Sequence, residues 1–244
     1  MKTKYTLIRC GISISLLVTL FAFSNCTSLL SAKFESDTIG NLPNKTLPGN
    51  PSGDEILYVA AIETQLEIIA TPGSTSNKSL EYQGNSPSGD VSGHSSWVTF
   101  KSKSSNFAKP VTFTWAGRIA SLTAESLYID LSDGSGVVAA RIRILDDGTV
   151  RLVNDIVTGN GTDIGSIGDN VAHTFIVTVN LQTATYNVSV FKSGGNLERL
   201  NVPLLTSNVA EYHNPARPTA SFNYSGYISS NRYILDEIFI SRKN

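Results

Sequence analysis

Six polar or aromatic side chains stand where strand alternation would gather them on one surface. Trp97 precedes Val98 and sits three places from Phe100, so the two fall on opposite faces of a strand. Tyr128 and Asp130 alternate with Leu127, Ile129 and Leu131. Arg141 and Arg143 flank Ile142, and Arg151 lies between Val150 and Leu152. If the apolar partners face a core, Trp97, Tyr128, Asp130, Arg141, Arg143 and Arg151 share the opposite face, because successive strand side chains point to opposite sides. Such a surface offers aromatic rings, hydrogen-bond donors and one carboxylate, the mixture with which proteins hold hydroxyl-rich ligands. Other candidates for chemistry are weaker. His94, His173 and His213 have no second His or Cys at metal-ligand spacing. His94 reads as part of a polar loop and His173 as a cap at the start of a strand. The glycines from Gly159 to Gly168 lack the lysine and the strand–helix setting of a phosphate loop. Asp146-Asp147-Gly148 reads as hairpin turn chemistry.

The elements that must position these residues are strands. The chain has 244 residues, 41% hydrophobic and 16% charged, with a net charge of −1. That balance excludes a strongly basic nucleic-acid binder, and two cysteines exclude a disulfide framework. Helical periodicity is almost absent. The alternation predicts strands over 111–119, 126–131, 137–145, 149–153, 173–180, 185–191, 219–224 and 233–240. Residues 58–70 are read as two strands turning near Glu63-Thr64-Gln65. Short strands broken by Gly, Asn, Asp and Pro, with no linker and no repeat, predict one all-β, two-sheet antiparallel jelly-roll sandwich of about a dozen strands over residues 34–244.

The first 25 residues read as an address. Lys2, Lys4 and Arg9 precede the uncharged run Cys10–Phe23, which has the length of a secretory signal core and is too short to span a bilayer. Phe23-Ser24-Asn25-Cys26 resembles a bacterial lipobox, with Phe23 and Asn25 in place of the usual aliphatic and small residues. The resemblance implies lipidation of Cys26, a short tether over 26–33 and membrane attachment. Thr27, where many Gram-negative lipoproteins destined for the inner membrane carry Asp, points to the outer membrane. Beyond Asn25 the chain holds sixteen basic and twenty acidic residues, so charge alone does not draw it to anionic lipid.

Three segments carry a second resemblance. Phe34-Glu-Ser-Asp-Thr-Ile-Gly-Asn-Leu-Pro43, the hairpin His173–Val190 and Ile234-Leu-Asp-Glu-Ile-Phe-Ile240 resemble the opening strand, central hairpin and closing strand of concanavalin A-like, laminin G-like domains of bacterial surface proteins. This implies that the closing strand pairs beside the first. It also implies a structural Ca²⁺ held by Glu35, Asp37 and Asp236, which otherwise read as ordinary polar positions on a paired edge. Family 16 glycoside hydrolases share this fold and carry Glu-x-Asp-x-x-Glu on one strand, a motif this sequence lacks. The expectation is a lipid-anchored cell-envelope protein that binds carbohydrate without catalysis. The alternatives are a glycan-active hydrolase or lyase on the same fold, and a structural or protein-binding surface lipoprotein.

Overall fold

A computed structural model describes residues 26–44, 55–59, 66–85, 96–103, 105, 107–121, 126–206, 208–213, 215–224 and 228–244. Two antiparallel sheets face each other. One contains β1 (Cys26–Ala32), β3 (Leu66–Ala70), β4 (Lys78–Asn85), β6 (Val111–Ser121), β11 (Ala172–Asn180), β12 (Thr185–Lys192), β13 (Leu197–Pro203) and β15 (Ile228–Lys243). The other contains β2 (Glu55–Val59), β5 (Ser96–Lys101), β7 (Leu127–Ser132), β8 (Val138–Ile144), β9 (Thr149–Val153), β10 (Gly161–Ser166) and β14 (Thr219–Tyr224). The spatial order is β13-β12-β11-β6-β15-β4-β3 in the first sheet and β10-β9-β8-β7-β14-β5-β2 in the second. Among the described residues, no helix is long and apolar enough to cross a membrane.

The strict alternation of β6 explains why it is central. Val111, Phe113, Trp115 and Ile119 are buried, while Thr112, Thr114, Ala116 and Arg118 are half-buried on the other face. Trp115 stacks on Phe175 at 4.7 Å, with their planes 7° apart. It meets Phe222 of the opposite sheet edge-on at 5.8 Å, so one indole links the two layers. Gly117 lacks a side chain for a specific reason. A Cβ there would sit 2.3 Å from the Tyr233 hydroxyl, which fills the space beneath the strand.

The predicted strands from β6 to β9, the hairpin β11–β12 and the strands β14 and β15 are present. Asp146-Asp147-Gly148 closes the β8–β9 hairpin, with Gly148 at φ +78°. Residues 58–70 do contain two strand segments, but β2 and β3 belong to different sheets. The intervening residues 60–65 lie outside the described set. Two expectations at the N-terminus need correction. Residues 26–32 are the paired strand β1, whose register runs from Cys26 opposite Lys243 to Ala32 opposite Ile238. Leu29, Leu30 and Ala32 are buried in the core, which fixes this segment in the sandwich. The opening strand therefore precedes Phe34, which instead turns the chain at φ +54°. The closing strand does pair beside the first.

His173 stands at the start of β11, hydrogen-bonded to the carbonyl of Val171 just before it, and its ring is buried in the core. Its Nδ1 lies 3.0 Å from the Val171 carbonyl, which can only accept, so Nδ1 carries the proton. Nε2 then accepts from the Tyr233 hydroxyl at 2.8 Å. Burial pushes the imidazole pKa down from 6.5 to about 4. A base protonated more readily in the unfolded chain costs stability as the pH falls. Stability should be intact above pH 6.5 and decline towards pH 4, by about 3 kcal/mol in total. Urea melts of wild type and His173→Gln across this range check it: the variant should lose most of the slope. Gly117→Ala should destabilise by ~1–3 kcal/mol through overpacking against Tyr233, read as a lower thermal midpoint.

Candidate functional site: the outer face of the seven-stranded sheet

The cross-strand register does what single strands could not reveal. One rung crosses the sheet through Asp163 of β10, Arg151 of β9, Arg143 of β8, Tyr128 of β7, Asn223 of β14 and Trp97 of β5. The adjacent rung sets Arg141 opposite Asp130, Asp130 opposite Ser221, and Ser221 opposite Thr99. Four of the six sequence-predicted residues thus share a rung and the other two share its neighbour. For Trp97 this concerns the backbone position alone, because its side chain lies outside the described set.

The charges on this face are not equivalent. Arg141 makes a bidentate pair with Asp130, Nε to Oδ1 at 2.6 Å and Nη2 to Oδ2 at 2.7 Å. Hydrogen bonding to Asp130 raises the Arg141 pKa further. Arg151 makes the same fork with Asp163, at 2.6 and 2.9 Å. Arg143 has no carboxylate partner among the described residues. Its Nε donates to the Ser126 hydroxyl at 2.8 Å. The guanidinium carbons of Arg141 and Arg143 lie 5.4 and 5.2 Å from the centroid of the Tyr128 ring, within cation–π range. Tyr128 therefore props two arginines and is not the bare stacking platform that its position alone suggests.

The loop from β9 to β10 stands against this shelf. The Asp155 carboxylate accepts from the Val157 and Thr158 amides at 2.9 and 3.3 Å and from the Thr158 hydroxyl at 2.7 Å. The Gly159 amide closes the turn onto the Asp155 carbonyl at 2.9 Å. So braced, the loop presents Ile156 and Val157, 45% and 89% exposed, to solvent. A cleft of about 260 Å³ lies between loop and shelf, lined by Tyr128, Arg141, Asn223 and residues 156–159. One wall is rich in donors and the other is apolar. Asn223, the loop and Asp163 escaped sequence reading, since neither alternation nor motif relates β14 or β10 to β7.

Asp133, Ser135 and His213 come together at the end of β7. Asp133 is buried and accepts from the Ser135 amide and hydroxyl and from the His213 amide. Burial raises its pKa, but these hydrogen bonds outweigh burial and hold it low. The Ser135 hydroxyl and the Asp133 carboxylate both approach His213 through Nδ1, at 2.8 and 3.2 Å. A proton relay needs one partner on each ring nitrogen. This cluster fixes a turn. His94 lies outside the described residues.

Of the three predicted calcium ligands, Glu35 accepts from the Lys78 amide at 3.3 Å. Asp37 is buried and accepts from the Asn44 side chain, and burial raises its pKa. Asp236 accepts from Thr71 and Ser79. Among the described residues, no group of three or more His, Cys, Asp or Glu side chains is placed to hold an ion.

No protein family matches the sequence, and no curated protein does. Solved structures do resemble the fold. A sialidase matches with a TM-score of 0.55 at 10% identity, over 90% of this chain and 19% of that one. A carbohydrate esterase from the Shiga toxin-encoding bacteriophage phi24B matches with 0.55 at 14% identity, over 90% of this chain and 100% of that one. Winged bean acidic lectin, solved with methyl-α-D-galactose, matches with 0.54 at 9% identity, over 87% and 98%. The fold is the lectin-like, concanavalin A-like jelly roll. At these identities the likeness is one of architecture.

Asp155→Ala should release the loop tip without unfolding the sandwich. Amide exchange of residues 156–159 should quicken, while global stability falls by no more than ~1 kcal/mol.

Proposed function

We propose that this chain is a secreted cell-envelope protein, lipid-anchored through Cys26 at the outer membrane of a Gram-negative bacterium, that binds carbohydrate without transforming it. The observation that carries the binding reading is the cleft with Tyr128 and Arg141 on one side and Ile156–Val157 on the other, with Arg143 held beside it on the same Tyr128 ring. Sugar hydroxyls accept well from guanidinium and carboxamide donors, and an apolar sugar face suits an aliphatic wall. The lectin and the carbohydrate esterase of like fold support the same ligand class. A hydrolase working here would need two unengaged carboxylates across the cleft. Asp130 is committed to Arg141 and Asp163 to Arg151, so this face favours binding over catalysis. The anchor rests on the basic, apolar leader and on Cys26, which is a free thiol among the described residues.

A glycan array on the chain from Cys26 onward tests the binding. Arg143→Met and Tyr128→Ala should each weaken the strongest signals about tenfold or more, with circular dichroism unchanged. Equal binding by wild type and both variants would overturn this site, and no binding to any glycan would overturn the function. For the anchor, a metabolic fatty-acid probe should label wild type and fail to label Cys26→Ser.

A further inference from the structure

The opposite face of the sandwich holds a second cavity, of about 190 Å³, that the function above does not use. Two rungs of the eight-stranded sheet build it. One runs from Phe191 on β12 through Thr174 on β11 to Ala116 on β6. The other runs from Ala172 through Arg118 to Ile234 and on to Glu81. Between them β15 bulges. The register shifts between Leu235 and Glu237, leaving Asp236 as an extra residue opposite β6. Bulges re-aim a side chain, and this one puts Asp236 into the cavity wall.

The polar groups there are held ready and are not mutually neutralised. The Thr71 and Ser79 hydroxyls both donate to Asp236 Oδ1, at 3.1 and 3.0 Å. They fix the carboxylate and leave Oδ2 uncommitted among the described contacts. Arg118 has no carboxylate partner among the described residues, although it lines the same cavity. The nearby Glu81 is engaged by Gln83 at 2.7 Å and lies 3.8 Å from Arg232. Phe191, 45% exposed, forms an aromatic wall. Ala116, Ala172, Ile234 and Pro72 complete an apolar lining.

We propose that this cavity binds a single sugar acid, a uronate unit, at a site separate from the Tyr128 cleft. The volume suits one pyranose ring. Arg118 supplies a forked donor for the carboxylate. Asp236 Oδ2 accepts from ring hydroxyls, Thr174 adds a hydroxyl, and the Phe191 ring covers an apolar sugar face. The same arginine disfavours a metal cation beside Asp236, since it already supplies the positive charge there.

Titration of the ¹⁵N-labelled chain with D-glucuronate and D-glucose tests this by amide shifts of residues 116–118 and 172–174. Glucuronate should saturate these shifts and bind about tenfold tighter than glucose. Arg118→Met and Arg118→Gln should each remove that preference, and Asp236→Asn should weaken both sugars. Tyr128→Ala should leave glucuronate binding here unchanged, so failure of the first cleft and failure of this cavity read out separately. The spectra also report folding of each variant. Absence of saturable glucuronate shifts, or shifts indifferent to both Arg118 variants, would overturn the proposal. So would shifts lost with Tyr128→Ala.

Discussion

The edge-on contact of Phe222 with Trp115 joins the two sheets at their inner strands, and both outer faces inherit their composition from it. A ring of that size must lie inside, and strand alternation leaves no freedom once it does. With Phe222 inward, Ser221 and Asn223 must face away from the core. Because β14 lies between β7 and β5, that choice passes across the ladder to Tyr128 and Asp130. On the other side, Trp115 stacked on Phe175 turns Ala116, Arg118 and Thr174 outward. A register slip of one residue would bury Arg118, Arg141 and Arg143 without partners and expose the aromatic layer. Burying such charges alone costs far more than the core could return.

Much of this was legible in the sequence because alternation is a local signal. The strands β6, β7, β8, β9, β11 and β12 announce themselves, as does the Asp-Gly turn. The edge strands β10 and β13 do not. Gly161-Thr-Asp-Ile-Gly-Ser166 and Leu197-Glu-Arg-Leu-Asn-Val-Pro203 lack the pattern and bury no residue fully; Ile164, Leu197 and Val202 are partly buried against the core, and backbone pairing to a neighbour holds the rest. The strand β1 reads as a tether because Cys-Thr-Ser-Leu-Leu-Ser-Ala alternates poorly. Its pairing shifts register between Ser28 and Leu30, which breaks the period.

The outer-face residues of the site were equally legible, but their partnerships were not. Alternation says that Arg141 and Arg151 face outward. It cannot say that Asp130 and Asp163 stand opposite them, since that depends on which strands are neighbours and in what register. The same gap hides the bulge at Asp236, where a single unpaired residue changes what the carboxylate faces. The resemblance groups Asp236 with Glu35 and Asp37; the bulge instead joins it to Thr71 and Ser79.

The pairing of β1 with the end of β15 also decides how the domain bears a mechanical load. Cys26 lies opposite Lys243, and the two strands run antiparallel to Ala32 opposite Ile238. A pull on Cys26 directed away from the domain along the strand axis drags β1 lengthwise past its neighbour. All the ladder bonds then resist at once, together with the buried side chains of Leu29 and Leu30, and none can be peeled off ahead of the rest. A force applied at Cys26 along that axis would therefore load the sandwich in shear, the geometry in which a short strand withstands the most force.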